Sequence, residues 1–438
     1  MRADLLIDSA RGILVCDDAS TVLMDASAAV ADGRIIAVGP AEDVRSQVRA
    51  DRVLDARGML LMPGLVNLHT HLPMTLLRGV AEDVDLQGFL EMVWAEEARV
   101  MDPSGVELGA RLGAVEALLC GTTTALDMYF HPEACHVGAA SAGLRHVTGP
   151  VFFSFPGPDG LSWEQRMDLA RRWPDALRSI GGPHVPLALM PHAAYTVDLA
   201  GLAEIARLAD ELGAMVTTHA AENDTETADT LASRGMRPIA CFAESGILRQ
   251  RPVLAHAVRM DDDDVSAVAG AGASVAHCPG SNLKLASGAA DVVGYRQRGI
   301  PVGLGTDGCS SSNDLDMFVV MRLAADLARL LRSDPAAISA ADVVRMATLD
   351  GARALGMGER IGSVEVGKEA DLILLDTRVP HLTPLRDPHT AVVFSAGRSD
   401  VRHVLVAGEL VVEDRRPTRV DVPALLAAAD ARVATAAS

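Results

Sequence analysis

The chain has 438 residues, of which 49% are hydrophobic, 3% aromatic and 22% charged. That suits one large domain plus a smaller one, with an aliphatic core and no global disorder. A formal charge of −19 argues against nucleic acid or an anionic membrane surface as partner.

No apolar run is long enough for a membrane span, and the opening "MRADLLIDSARG" lacks the apolar stretch of a signal peptide. Six cysteines are scattered without a C-x-x-C pair, the usage of a reducing compartment. A cytoplasmic protein is expected, with a small-molecule substrate.

In chain order, residues 1 to about 60 read as short strands such as "ILVCDD" and the hairpin "ADGRIIAVG". From about 364 the same style returns in "EADLILLD" and "VRHVLVAGELVVED". The expectation is a small β-sandwich built from residues 1–60 and 364–438. A C-terminal helix would close it, started by the Asp421 cap and Pro423.

Between them, over 61–363, eight apolar strand-like runs alternate with amphipathic stretches: "LLMPGLVNLHTH", "TTTALDMY", "HVTGPVFF", "VPLALMPHAAY", "AMVTTHAAE", "PVLAHAVRM", "ASVAHCPGSN" and "PVGLGTDG". Helices between them end at Gly121, Gly143, Gly213, Gly272 and Gly299. The pattern predicts an α/β protein with a (β/α)8 barrel. A doubly wound sheet is the alternative, but no glycine-rich phosphate loop follows the first run.

Polar residues collect at the ends of these runs: His69 and His71, Asp127, His192, His219, His256, His277 and Asp307. Barrel active sites lie at that end. In a strand, His69 and His71 share one face. With His219 from the fifth run and Asp307 from the eighth they make three imidazoles and a carboxylate, a set suited to zinc or iron(II). Each residue alone has a plainer reading: His219 as a core histidine, Asp307 as a turn residue.

Glu222, three residues past His219, is free to act as general acid and base. Its plainer reading is an acid in a helix's first turn. His256 is placed to stabilise the attacking water or developing alkoxide. No lysine precedes residue 284. An early strand therefore cannot supply the carbamylated lysine that bridges two metals in some barrels. One divalent ion per chain is expected, Zn2+ before Fe2+.

The chain resembles the metal-dependent amidohydrolase superfamily, in its aminohydrolase branch. The resemblance rests on "PGLVNLHTH", "THAAEN", "LAHAV", "HCPGSNLKLASG", "GLGTDG" and the C-terminal "ATLDGARALGMGERIGSVEVGKEADLILLD". "HTHLPMTLLRGVAEDVDL", "DMYFHPEA" and "SNLKLASG" are similar in particular to the S-adenosylhomocysteine and 5'-methylthioadenosine deaminases.

The resemblance implies that His69, His71, His219 and Asp307 hold the metal. It implies that Glu222, His256 and Asp307 act on water and leaving ammonia, with Glu222 also touching substrate. It matches Glu97 and His192 to residues that contact purine and sugar. The implied reaction is hydrolytic deamination of an adenosine-type nucleoside, with or without a modified 5' end. Deamination of a guanine-type base, pterin or triazine, or hydrolysis of a cyclic amide or chloro-heterocycle, would use the same site. A dimer or tetramer is expected.

The chain departs from the pattern at Ala193-Ala194, Asn223, Gly280, Asp291 and Val320. The arginines that would hold a homocysteine end find no clear match around "GLRHVTGP". These departures bear on the substrate and not on the metal set.

Overall fold

The computed structural model describes residues 1–84 and 86–436. The chain forms two compact units. The first comprises Met1–Asn67, Val115–Thr124 and Asp316–Val420; the second comprises Leu68–Ala114, Ala125–Leu315 and Asp421–Ser438.

In the first unit, the two ends of the chain interleave in one nine-stranded sheet. Strand Leu372–Asp376 pairs antiparallel with Met59–Pro63, which pairs parallel with Arg2–Leu14. The long first strand changes partner partway. Its start runs parallel to Arg49–Asp55, and its register against Val22–Ala31 slips between Ile7 and Ala10. Ser9 takes φ +58° at that bulge, and a bulge bends the strand that carries it. Ile7, Ile13, Val30, Leu61, Leu372 and Leu405 lie in the buried core, aliphatic as the composition requires.

All eight expected barrel strands form. They are Leu65–His71, Thr122–Asp127, Arg145–Val147 with Val151–Phe152, Ala188–Pro191, Met215–Ala220, Val253–His256, Ser274–His277, and Val302–Leu304 with Asp307–Gly308. Pairings are parallel from Met190 against Val151 through to His277 against Leu304. The broken eighth strand closes the ring, because Asp307 pairs with Thr70 of the first. Strands covered on both faces are buried almost throughout, which explains their unbroken apolar runs. Helices Leu199–Leu212 and Asp262–Ala271 end in left-handed Gly213 and Gly272, as the sequence suggests.

The units are drawn differently from the expected boundaries. Helix Val422–Ala436 groups with the second unit and not with the β-sandwich. There Arg432 donates to the Val100 carbonyl at 2.9 Å and pairs with Asp102 at 2.9 Å. Helices Met317–Arg332, Ala340–Met346 and Leu349–Ala354 group with the first. Apolar periodicity reveals that a helix has a face to bury, but not which neighbour covers it. Among the described residues, no helix is long and apolar enough to cross a membrane.

Candidate functional site

Because the barrel strands are parallel, their C-terminal ends share one side. An opening of about 660 Å³ lies there, lined by His71, Glu97, His192, His219, Glu222, His256 and Asp307 among others. His69 is fully buried beneath it, its ring 4.8 Å from His71 and 4.9 Å from His219. All eight site residues singled out in the sequence thus meet in the second unit. Asp127 and His277 do not line the opening.

Gly305 explains part of the geometry: a Cβ there would stand 2.8 Å from the His69 carbonyl oxygen. Only glycine lets the eighth strand approach the first so closely. Asp307 and His256 adopt φ of +62° and +71°, a left-handed backbone that costs on the order of 1–3 kcal/mol per residue. Such strain is typical where side chains must be aimed.

The donor set can be read proton by proton. His71 Nδ1 donates to the Met128 carbonyl at 2.6 Å, and His219 Nδ1 donates to the His192 carbonyl at 2.8 Å. A carbonyl only accepts, so each Nδ1 carries the hydrogen and each Nε2 is left facing inward, available to an ion. Those two Nε2 atoms face each other at 3.4 Å. The Asp307 carboxylate adds Oδ1, 3.1 Å from His71 Nε2 and 3.5 Å from His69 Nε2. Facing lone pairs beside a buried carboxylate repel unless a cation or a proton lies among them.

Without an ion, a proton on His71 Nε2, 3.1 Å from Asp307 Oδ1, takes that place. Burial pulls His71 down, but the bond to Asp307 and that carboxylate's charge outweigh it and push the imidazole up to about 9. Burial holds His69 down at about 4 despite Asp307. His219 lies well below its ordinary value, from burial and its histidine neighbours. One carboxylate among three buried rings supports one positive charge. His69, His71, His219 and Asp307 therefore fit a divalent ion with nitrogen and oxygen preference, such as zinc.

Around this set, His256 Nδ1 lies 3.0 Å from Asn282 Oδ1, and its Nε2 lies 3.9 Å from Glu222 Oε2. Burial raises the Glu222 carboxyl; His256 opposes that, while Asp307 adds to it. The Glu222 N–H donates to Glu226, which holds the turn after the fifth strand. Ser311 donates to Asp307 Oδ2 at 2.7 Å, leaving Oδ1 for the histidines.

Farther out, Tyr129 donates to Glu97 Oε1 at 2.7 Å. Oε2 is buried and has no hydrogen-bond partner among the described residues. Burial pushes the Glu97 carboxyl up to about 7. His192 Nδ1 lies 3.1 Å from Thr196 Oγ1, and burial with the nearby His71 and His69 pulls its ring down to about 3. Tyr195 also lines the opening, and Met74, Phe89, Leu90, Trp94, Phe130 and Leu285 give it an apolar wall.

Sequence reasoning does not single out Tyr129, Asn282 or Ser311. Asn282 stands in the quoted "GSNLK" and Ser311 follows Asp307 by four residues, so proximity to the motifs is the available signal. Tyr129 likewise stands in the quoted "DMYFHPEA", two residues after Asp127.

The family model described as "Amidohydrolase family" matches residues 60–411. A 5-methylthioadenosine/S-adenosylhomocysteine deaminase of Syntrophobacter fumaroxidans is 40% identical over 428 residues, covering 96% of this chain and 95% of that protein. A 5'-deoxyadenosine deaminase of Methanothermobacter thermautotrophicus is 40% identical over 366 residues, covering 83% and 84%. The crystal structure of an adenosine deaminase from Xanthomonas campestris with bound zinc superposes with a TM-score of 0.95 at 38% identity, covering 99% of each chain.

Proposed function

The chain belongs to the amidohydrolase family, and from that premise we propose that it deaminates an adenosine-type nucleoside with an apolar 5' end. It is a hydrolase of carbon–nitrogen bonds, and its relatives act on purine nucleosides. A divalent metal, most simply one zinc, would be held by His69, His71, His219 and Asp307. The inward Nε2 lone pairs of His71 and His219 carry that assignment. When bound, such an ion supplies Lewis acidity that brings water toward ionisation at neutral pH.

The chain's own groups do the rest. Glu222, its carboxyl raised by burial, takes a proton from water as the oxygen adds to the ring carbon bearing the amino group. His256, held by Asn282, hydrogen-bonds to the oxygen as it gains charge. Asp307 can hold a proton on the oxygen facing the histidines. Glu222 then protonates the departing amine, the hydroxyl proton taken up by Asp307 passes to the ring nitrogen that gained the C=N electron pair, and ammonia leaves as the carbonyl forms.

Glu97 and His192 orient the substrate. The unengaged Glu97 Oε2 is suited to donors on the base or sugar, and His192 to the sugar hydroxyls. The described residues lining the opening include no lysine or arginine. A homocysteine carboxylate or a phosphate would meet Glu97 and apolar walls without a cation. A methylthio group would instead meet Trp94, Phe89 and Phe130, favourable partners for sulfur. The finer substrate assignment is therefore 5'-methylthioadenosine or 5'-deoxyadenosine.

The six buried thiols support a cytoplasmic enzyme. Exposed Leu330 and Leu331 support self-association into a dimer or tetramer, which light scattering would test.

The test of function is ammonia release from 5'-methylthioadenosine, 5'-deoxyadenosine, adenosine, S-adenosylhomocysteine and adenosine monophosphate. The two apolar nucleosides should show the highest kcat/KM and the phosphate the lowest. Preference for S-adenosylhomocysteine would overturn the 5' assignment, and absence of ammonia from all five would overturn the reaction.

A further inference from the structure

A second buried cluster of titratable groups stands behind the first. Asp127 ends the second barrel strand and is fully buried. Its Oδ2 lies 2.9 Å from His146 Nε2 and accepts from Cys135 Sγ at 3.2 Å. His146 Nδ1 lies 3.1 Å from His136 Nδ1, and His136 Nε2 lies 3.4 Å from the Gly181 carbonyl. The proposed reaction uses none of these residues.

Their protons can be assigned from the far end. The Gly181 carbonyl only accepts, so His136 carries its hydrogen on Nε2 and offers Nδ1 as acceptor. Burial and then His146 hold His136 at about 4, so it is neutral. His146 must then donate through Nδ1. That would leave its Nε2 bare against a carboxylate, so a further proton sits between His146 and Asp127. Every close contact is then a donor facing an acceptor, and the cluster is complete without a metal.

The other oxygen of Asp127 reaches the metal strand. Oδ1 accepts from the Leu72 N–H at 3.0 Å, one residue past His71. The next residue, Met128, donates its N–H to the Thr70 carbonyl at 3.0 Å and accepts the His71 ring at 2.6 Å. Thr148 donates to the Asp127 carbonyl at 2.7 Å. The peptide before His71, its ring and the peptide after it are thus all tied to Asp127-Met128.

We infer that Asp127, held by His146 and Thr148, is a positioning residue that fixes the His71 imidazole toward the metal, and that the Asp127–Cys135–His146 cluster binds a proton and not a second ion. The inference rests on the reading of His71 as a ligand.

The test measures zinc affinity of the apo-protein by chelator competition, zinc stoichiometry, and kcat and KM separately. Asp127→Ala removes the acceptor of the Leu72 N–H. It should weaken zinc about 10–100-fold, the range for residues that orient metal ligands, and lower kcat with KM within about twofold, since substrate contacts are untouched. Asp127→Asn keeps an acceptor for Leu72 and a donor for neutral His146, and should recover most of that loss. If Asp127→Ala does not fold, Thr148→Val reads the same tie, with a loss of about two- to tenfold, the range of one hydrogen bond.

A merely structural role would lower melting temperature yet leave zinc affinity and kcat of the folded protein unchanged, which overturns the inference. So would a second equivalent of zinc in the wild type that Cys135→Ser removes. Failure of the wild type to bind zinc at all would instead overturn the proposed function.

Discussion

Two buried clusters at the ends of neighbouring strands use nearly the same residue types and reach opposite states. In one, His71 and His219 spend their hydrogens on backbone carbonyls and turn lone pairs on each other at 3.4 Å. In the other, Asp127, His146, His136 and Gly181 alternate donor and acceptor along a chain of contacts. Residue type does not distinguish a metal centre from a hydrogen-bonded core. The number of inward-facing nitrogens does: Nε2 of His69, His71 and His219 converge with Asp307 in the first cluster, whereas one Nε2 meets the carboxylate in the second and a single proton completes it.

The strongest way to break this comparison is at the first cluster. His219→Ala should leave apo-protein that does not retain zinc and shows background ammonia release. Retention of one zinc per chain after dialysis would show that His219 is not among the ligands. Next, Glu222→Gln should keep its metal and lose about 10²–10⁴ in kcat, the usual contribution of a proton-transferring group. Parallel metal analysis and turnover measurements separate it from His219→Ala, and near-native turnover would remove Glu222 from the reaction.

A smaller effect is expected at Glu97, whose carboxyl is raised to about 7 by burial, opposed by the Tyr129 hydrogen bond. Its pKa in the folded protein lies above its unfolded value near 4.3. Between these values the folded state binds more protons, so stability falls as pH rises from about 4.3 to about 7 and levels off above. Glu97→Gln should flatten that slope and be more stable than wild type at pH 8, by up to a few kcal/mol. Denaturant unfolding at pH 5 and pH 8 checks the sign; an unchanged slope would show that Glu97 is ionised throughout.

The smallest effect sharpens the second cluster. Cys135→Ser preserves a donor to Asp127 and should change stability by no more than about 1 kcal/mol. Zinc content should stay at one per chain, measured by elemental analysis on the folded protein.

Much of the site is legible in the chain before folding. His69 and His71 announce themselves because alternate residues of a strand share a face, and Asp307 because it ends an apolar run at a glycine turn. Tyr129 is different: an aromatic at the end of an apolar run reads as core, and only its 2.7 Å bond to Glu97 reveals a role. Glu96 and Glu97 are neighbours that only the resemblance separates, yet Glu97 is 2% exposed and lines the opening. Glu96 instead forms an ion pair with Arg99 on the helix. The C-terminal helix is visible from its Asp421 cap, and the unit it joins is not.

By itself the sequence determined the alternation of strand and helix, the aliphatic core, and the placing of histidines and acids at strand ends. Those follow from local periodicity and from the chemistry of each side chain. The tertiary structure alone decided which donors converge and which hydrogen each ring had already committed. Thr70 meets the Asp307 carbonyl across 237 residues and His71 meets Met128 across 57. Contacts that distant leave no period in the chain. They are set by barrel closure, which brings the eighth strand against the first and turns scattered imidazoles into a site for a cation.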